Sequence, residues 1–592
     1  MAVGSRRPIL SMVWSVLRPR WAGLLVVLLL IPAGTLLELA NPFILRQAVD
    51  HHLKVGDAVG LGLLAALYVL SFVAVQGVSF LQTYAATAVG QNALRDLRLR
   101  LFRHLGRLPV SYFDRTPAGD TISRCTSDVD AVGMLFSSTI LGVFSELVRL
   151  GGIVAAMVVL SPRLTVVALL AVPVVALVSR LFRRPMLAAE RATRRRIGET
   201  NAQIQETLTG MEVVRAFQQE GTFLSRFHKT QDGFLRATDR SGLYDSVFSP
   251  LIEALKALSI ALLLWYGTRP EVFLSHGITL GTLAAFVQLL ERLFAPIAAL
   301  GQEYQTVQQA VAGTERILEV LALPVEERPP APPASPHLAI PEVKVAAVTF
   351  GYGGGNPVLH DVDLLIEPGE HVAVVGQTGA GKSSLAHLIA GLYAPGSGSV
   401  RVGGVDPYSL TPEQRRRLVG VVPQQVHLFA GTVLDNLRLG EEEISMVEVC
   451  AALELANVGD LIRGLPDGLN TPLGVAGLRL SGGQSQLLAL ARALVRSPRL
   501  LLLDEATSSV DSETERLIRD GLARSSAGRT TLTVAHRPAS AQQADRVIVM
   551  AEGRIIEAGP PDALASAGGR YAAMLELQRL GWGDEDLVRT AT

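Results

Sequence analysis

Apolar residues crowd the first half of the chain into long runs and give way to short, broken ones in the second. The runs centre on 22–46, 60–88, 133–160, 163–182, 246–268 and 273–300, each near or above the roughly 20 residues an α-helix needs to cross a bilayer. Six spanning helices are the expectation. Between the second and third runs, and again between the fourth and fifth, the stretches 95–108 and 188–217 mix charge with apolar repeats in helix-forming residues, which predicts that the membrane helices continue beyond the bilayer. Each pair then turns at its far end, one turn falling in the Tyr-, Pro- and Gly-containing segment 111–119 and the other around Gly210. A Pro/Ala-rich linker at 323–342, with Pro329, Pro330, Pro332, Pro333 and Pro336, closes this half. From 343 to 580 short apolar strands alternate with helical stretches and Gly-rich turns, the pattern of a soluble α/β domain, and 581–592 reads as a tail. The expected fold is thus multidomain: an all-α transmembrane domain at 1–322, six helices extended into the cytoplasm, followed by an α/β domain.

Composition agrees. The chain is 49% hydrophobic and only 18% charged, where soluble domains carry roughly a quarter charged residues. Lys+Arg and Asp+Glu stand at 54 each, so the basic surface that nucleic-acid binding favours is lacking. Cys125 and Cys450 form no CxxC pair, which argues against a disulfide framework or a zinc site. Arg6, Arg7, Arg18 and Arg20 before the first apolar run imitate a signal peptide but lack a small-residue cleavage site, and predict a short interfacial helix instead. Arginine crowds the two long connections (Arg95 to Arg124, Arg183 to Arg240), while the opposite ones offer little beyond Lys54, Arg163 and Arg269. The positive-inside rule therefore puts both termini, the long loops and the α/β domain in the cytoplasm of a multi-pass protein of the inner (cytoplasmic) membrane. Ionisable residues inside spans are candidates for substrate contact: Glu38, Glu146, Arg149, Glu253, Lys256 and Glu291. Glu146/Arg149 and Glu253/Lys256 also have the i,i+3 spacing of pairs that neutralise each other on one helix.

The chemistry lies in the second half. A buried-strand signature at 372–375 runs into Gly376, Gln377, Thr378, Gly379, Ala380, Gly381, Lys382, Ser383 and Ser384, followed by an apolar helix at 385–392. This is the phosphate-loop pattern GxxxxGK[ST] in its strand–loop–helix setting. Its glycines let backbone N–H groups surround phosphates at a helix N-terminus; Lys382 reaches the β- and γ-phosphates and Ser383 ligates Mg²⁺. A second buried strand, 500–503, ends in Asp504 and Glu505. Strand carboxyl ends are where functional groups sit in such sheets, so Asp504 is placed to hold Mg²⁺ and Glu505 to polarise the attacking water. Leu480, Ser481, Gly482, Gly483 and Gln484 precede a helical run at 487–495 and form another anion-binding N-terminus.

With those motifs in order, the chain resembles the ABC transporters of the exporter type, in which one membrane domain is followed by one ATPase domain. The resemblance implies that Tyr352 stacks on adenine, that Gln424 meets both nucleotide and Mg²⁺ and links them to the membrane domain, that Ser508 to Asp511 is the D-loop, and that His536 touches the γ-phosphate. Ser481 to Gln484 would be the signature that faces the phosphate loop of a second domain, so that ATP and Mg²⁺ join two half-transporters head to tail. Phe113, Asp114, Pro117, Gly119, Asp120, Ser123 and Arg124, with Glu206, Gly210, Val213 and Phe217, resemble the exporters' two cytoplasmic loops, implying coupling helices near 111–118 and 209–217. Where the family often has Glu-Arg-Gly before the signature, this chain has Gly474, Val475, Ala476 and Gly477, and Ser485 and Gln486 follow the signature without the usual positive charge. Both departures favour a heterodimer over a homodimer. The expected cargo is hydrophobic or amphipathic, drug- or lipid-like, with a peptide exporter, an importer of the same fold, and an ATP-gated channel or regulator as alternatives; a soluble ATPase acting on nucleic acid is excluded by the apolar spans.

Overall fold

The computed structural model describes residues 12, 14–16, 18–53, 56–134, 140–269, 278–326, 340–474, 477–504, 512–535 and 537–579, apart from the side chains of 297–309, 354 and 512–514. The chain divides into two compact units. One runs to Gly106 and resumes from Gly119 to Leu323; the other joins Arg107–Ala118 to the chain from Pro324 onward.

The first unit is helical: α1 (Trp21–Gln47), α2 (Ala58–Leu105), α3 (Ile140–Leu160), α4 (Ala171–Thr209, preceded by the short helix Pro162–Leu169), α5 (Glu220–Gly267) and α6 (Leu280–Leu321). Among the described residues five segments are long and apolar enough to cross a membrane, Arg18–Leu53, Ala58–Leu105, Ile140–Leu160, Pro162–Thr209 and Glu220–Gly267. Their most apolar windows are only 6% to 22% buried, so most of that apolar surface faces outward, as lipid contact requires. The sixth apolar run supplies the start of α6. The 48 residues of α2 and of α5 span about 72 Å each and the 39 residues of α4 about 58 Å, all well beyond the roughly 30 Å hydrocarbon core. Extension beyond the bilayer, expected from 95–108 and 188–217, is therefore a consequence of helix length. The turn near Gly210 is a break followed by the short helix Met211–Ala216.

Phe286, Leu289, Leu290 and Leu293 of α6, at i, i+3, i+4 and i+7, are fully buried as one apolar stripe. They pack with Leu39 of α1, Ile153 and Met157 of α3, and Leu263 of α5.

The second unit is built on a six-stranded sheet. Its strands, with those of a smaller sheet, are β1 (Val343–Phe350), β2 (Leu359–Ile366), β3 (His371–Gly376), β4 (Ser397–Val402), β5 (Val419–Val422), β6 (Leu500–Asp504), β7 (Thr530–Val534), β8 (Arg546–Ala551) and β9 (Arg554–Gly559). The large sheet has the order β9-β8-β3-β7-β6-β5, parallel except for the edge strand β9; the small antiparallel sheet has the order β2-β1-β4. The helices that matter for the site are α7 (Lys382–Ile389) and α8 (Gly482–Leu494). Alternation along β6 divides the interior in two. Leu500 and Leu502 join Val372, Val374, Leu385 and Ile548 in one core, whereas Leu501 and Leu503 join Leu487, Leu490, Leu494 and Val449 in another. A strand covered on both faces reads as an unbroken apolar run, which is why 500–503 is four leucines.

His371, at the start of β3, shares a hydrogen bond with Thr533 Oγ1 through Nε2 at 3.0 Å, and burial pushes its pKa below the ordinary 6.5. The unfolded chain therefore takes up a proton near pH 6.5 that the folded chain resists, and stability falls as pH drops from 6.5 toward the lower folded value. The midpoint of heat inactivation of ATP hydrolysis should fall between pH 7 and pH 5.5, and His371→Gln should shrink that fall. An equal fall in the variant would show that His371 is not responsible.

Candidate functional site

The phosphate loop follows from the packing of β3. All of Val372 to Gly376 is buried, between β8 and β7, and the strand delivers 376–381 to the N-terminus of α7. Gly376 has φ +151°, and a Cβ there would lie 2.2 Å from the carbonyl oxygen of Met550 on β8; only glycine lets the backbone pass. Gly379 has φ +85° and open space where a Cβ would stand. Lys382, 5% exposed, curls back over the loop it follows, its Nζ donating to the carbonyls of Gly376 at 2.6 Å and Gln377 at 2.9 Å. The Nε2 of Gln377 is buried and without a hydrogen-bond partner among the described residues. A buried donor of this kind calls for an acceptor, and a phosphate oxygen is one. The loop therefore fits a phosphate group. The helix expected at 385–392 starts earlier and ends at Ile389.

The other residues reach the same edge of the sheet. Asp504 ends β6, half-buried, with β7 between it and β3. Ser383 is half-buried in the first turn of α7, Ser384 beside it is buried, and Gln424 is exposed two residues beyond β5. Among the described residues no group of three or more His, Cys, Asp or Glu could hold a metal ion by itself. Thr378 is exposed and Ala380 buried within the loop. Glu505, Ser508, Ser509, Val510, Asp511 and His536 lie outside the described residues.

Tyr352 stands on the turn after β1, 37% exposed. Its Oη donates to Ser384 Oγ at 3.0 Å and lies 3.3 Å from His387 Nδ1. The ring meets Phe350 and Tyr393 edge-on, with centroids 4.9 Å and 5.2 Å away. Burial raises the pKa of the Tyr352 phenol and lowers that of His387, which stands neutral at pH 7. His387 and Tyr393 are residues that sequence reasoning missed. The only available signal was their place on and just after the phosphate-loop helix.

Ser481 and Gln484 cap α8 reciprocally. Ser481 Oγ accepts from the Gln484 N–H at 3.2 Å, and Gln484 Oε1 accepts from the Ser481 N–H at 3.0 Å, a capping box. Gly482 faces open space while Gly483 is buried against the domain. The phosphate loop and this motif rest on different cores, the first through Ala380 and Leu385, the second through Leu487 and Leu490.

In the helical unit the expected i,i+3 pairs form: Arg149 with Glu146 at 3.4 Å, and Lys256 with Glu253 at 3.4 Å. Arg149 also reaches Glu38 at 3.1 Å, and Arg292 meets the same carboxylate at 3.3 Å, so four charges from α1, α3 and α6 form one network. Glu146 Oε2 is buried without a hydrogen-bond partner among the described residues. Glu291 is exposed on α6. Arg292 was missed because the network joins three helices and no spacing within one helix reveals it.

Residues 24–297 match the family described as the ABC transporter transmembrane region, and residues 359–508 match the family described as ABC transporter. The ATP-dependent lipid A-core flippase of Syntrophus aciditrophicus is 31% identical over 95% of this chain and 92% of its own length. The fatty acid ABC transporter ATP-binding/permease protein of Mycobacterium bovis is 34% identical over 82% and 76%. The ABC transporter ATP-binding protein YfiC of Bacillus subtilis, itself uncharacterized, is 31% identical over 96% and 94%.

Proposed function

The chain belongs to the ABC transporter family, an exporter-type half-transporter whose ATPase domain couples hydrolysis to transport across a membrane, and from that premise we propose that it works as one half of a dimer that moves amphipathic, lipid- or drug-like molecules outward. The observation that carries the dimer is the separation of phosphate loop and signature onto two cores within one unit. A second chain brings a signature to each loop, and nucleotide gains ligands from both sides only when two such domains close. Closure is then a rigid-body motion driven by ATP.

In this reading Lys382 and the N–H groups of Gly376 to Ser384 hold the phosphates, Tyr352 meets adenine, and Ser481 to Gln484 with Asp511 belong to the sandwich formed with the partner. Ser383, Asp504 and Gln424 hold Mg²⁺, which supplies charge neutralisation as the γ-phosphoryl group departs. Glu505 polarises the water and His536 contacts the γ-phosphate. The ATPase domain spans 343–580 after the 323–342 linker, and it lies with both termini in the cytoplasm of a bacterial inner membrane, on the arginine asymmetry.

The lipid-directed relatives and the outward apolar surface support a cargo with a large apolar part. The network of Glu38, Glu146, Arg149 and Arg292 supports a polar end on that cargo, since charges in a span are retained where they meet a partner. The chain should be reconstituted in vesicles with and without the product of a neighbouring gene, and the movement of a fluorescent lipid followed on ATP addition. ATP-dependent movement that falls at least fivefold in Arg149→Ala, with ATP affinity unchanged, is the expected result; no movement with either composition would overturn the lipid-like cargo. Co-purification of two differently tagged copies decides the dimer: recovery of both tags means a homodimer, and recovery only with the neighbour means a heterodimer.

Substituting Tyr352 tests the adenine contact. Tyr352→Ala removes one stacking face, which is worth roughly 1–3 kcal/mol for a base on an aromatic ring. The KM for ATP should rise about 5- to 150-fold with kcat little changed. An unchanged KM would remove Tyr352 from the site.

A further inference from the structure

Helix α4 carries a row of arginines on the side turned away from its neighbour. Val175 and Ala189 are buried, and Val175 shares a core with Leu263 of α5. The Phe182 ring lies 5.6 Å from the Phe248 ring of α5, and the Arg196 guanidinium comes within 3.6 Å of where a Cβ on Gly233 of α5 would stand. Residues 175, 182 and 189 are seven apart and share one side of the helix, the side that meets α5. At 3.6 residues per turn, Arg180, Arg184, Arg191 and Arg195 fall within about 60° of one another on the opposite side. All four are exposed.

Carboxylates do not balance them. Glu190 is taken by Arg194 at 2.5 Å and Glu199 by Arg196 at 2.7 Å, while among the described residues Arg180, Arg184, Arg191 and Arg195 form no ion pair. One turn earlier the same strip is apolar. Leu177, 58% exposed, stands three residues before Arg180 and seven before Arg184, with Leu181, 65% exposed, beside it. Outward apolar surface thus passes directly into outward cationic surface as the apolar run 163–182 ends, where a spanning helix leaves the hydrocarbon. A free anion would have no use for Leu177 and Leu181; a molecule with an apolar body and an anionic end uses both parts. Arginine stems lie along apolar surface while the guanidinium reaches the water's edge, and its fork matches a pair of phosphate oxygens. Arg184 lies about 6 Å along the axis from Arg180, whereas Arg191 and Arg195 lie about 16 Å and 22 Å away. The first two can hold one headgroup between them. The others stand farther out, where attraction to an anionic surface fades within about 8–10 Å.

We propose that this strip of α4 is a docking site for the anionic headgroup of a bilayer lipid, with Arg180 and Arg184 clamping the phosphate and Arg191 and Arg195 drawing it in at longer range. The site shares no residue with the network of Glu38, Glu146, Arg149 and Arg292, and its occupant is a lipid of the surrounding membrane, whatever the cargo.

Native mass spectrometry of the full-length protein in detergent tests it, titrating short-chain phosphatidylglycerol against short-chain phosphatidylcholine. One arginine near an anionic headgroup is worth about fivefold in affinity, so the anionic lipid should show an apparent Kd at least fivefold lower than the zwitterionic one. Arg180→Gln combined with Arg184→Gln should bring the two lipids within twofold of each other. Arg191→Gln with Arg195→Gln should leave a preference of at least threefold. Arg194→Gln with Arg196→Gln removes the same charge from α4 outside the strip and should leave the preference unchanged. Equal binding of both lipids by the unaltered protein, or loss of the preference in the Arg194/Arg196 variant, overturns the site. Displacement of the lipid by inorganic phosphate at equal concentration would overturn it in favour of a free anion. Loss of the assembled species in the Arg180/Arg184 variant, with the lipid preference kept, would give the strip to a second copy of the chain. The titration needs neither ATP nor transport, so its outcome is separate from that of the cargo reading.

Discussion

Glu505→Gln should bind ATP within a few-fold of the unaltered protein and hydrolyse it roughly 10²- to 10³-fold more slowly, the scale of a lost general base. Glutamine keeps the shape of the side chain and removes the negative charge proposed to polarise water. In the proposed site binding depends on groups elsewhere, on the loop at 376–384 and on Tyr352, and so should survive. The measurement is turnover of ATP in vesicles beside direct binding of a fluorescent ATP analogue. Hydrolysis at the normal rate would remove Glu505 from the mechanism; loss of binding would make it a structural residue.

Lys382→Ala should fail one step earlier. The ammonium already points its hydrogens at the loop, toward the carbonyls of Gly376 and Gln377, and a phosphate adds a full negative charge as partner. A charged hydrogen bond is worth about 1.5–3 kcal/mol, so ATP should bind roughly 10- to 150-fold more weakly, and hydrolysis at cellular ATP should follow it down. Side by side, the two variants separate holding the nucleotide from breaking it. An alanine variant that bound ATP normally would contradict the loop's assignment.

Much of this is legible in the chain itself. The loop at 376–384 announces itself because phosphate binding demands glycines at fixed spacing between a strand and a helix, and β3 and α7 flank it as that demand requires. Four leucines at 500–503 announced a strand buried on both faces. The pairs Glu146/Arg149 and Glu253/Lys256 were readable because one helical turn fixes which neighbours meet. The contacts that escaped are those between residues far apart in the chain. Asp114 and Tyr393 are 279 positions apart, and Arg292 meets Glu38 across 254; local pattern carries no record of either. The reciprocal bonds of Ser481 and Gln484, by contrast, follow from the Ser-x-x-Gln spacing of a capping box and were open to a sequence reading that attended only to their use as ligands.

The length of α2 has a mechanical side. Its 48 residues contain no proline, whereas α5, of equal length, carries Pro250 in its interior, and proline is where long helices bend. A rod of about 72 Å that tilts by roughly 5° about one end carries its other end through about 6 Å, more than a helical turn. Small rotations at one end of α2 are therefore magnified into side-chain-sized displacements at the other, and α5 has a built-in joint to absorb part of the same swing.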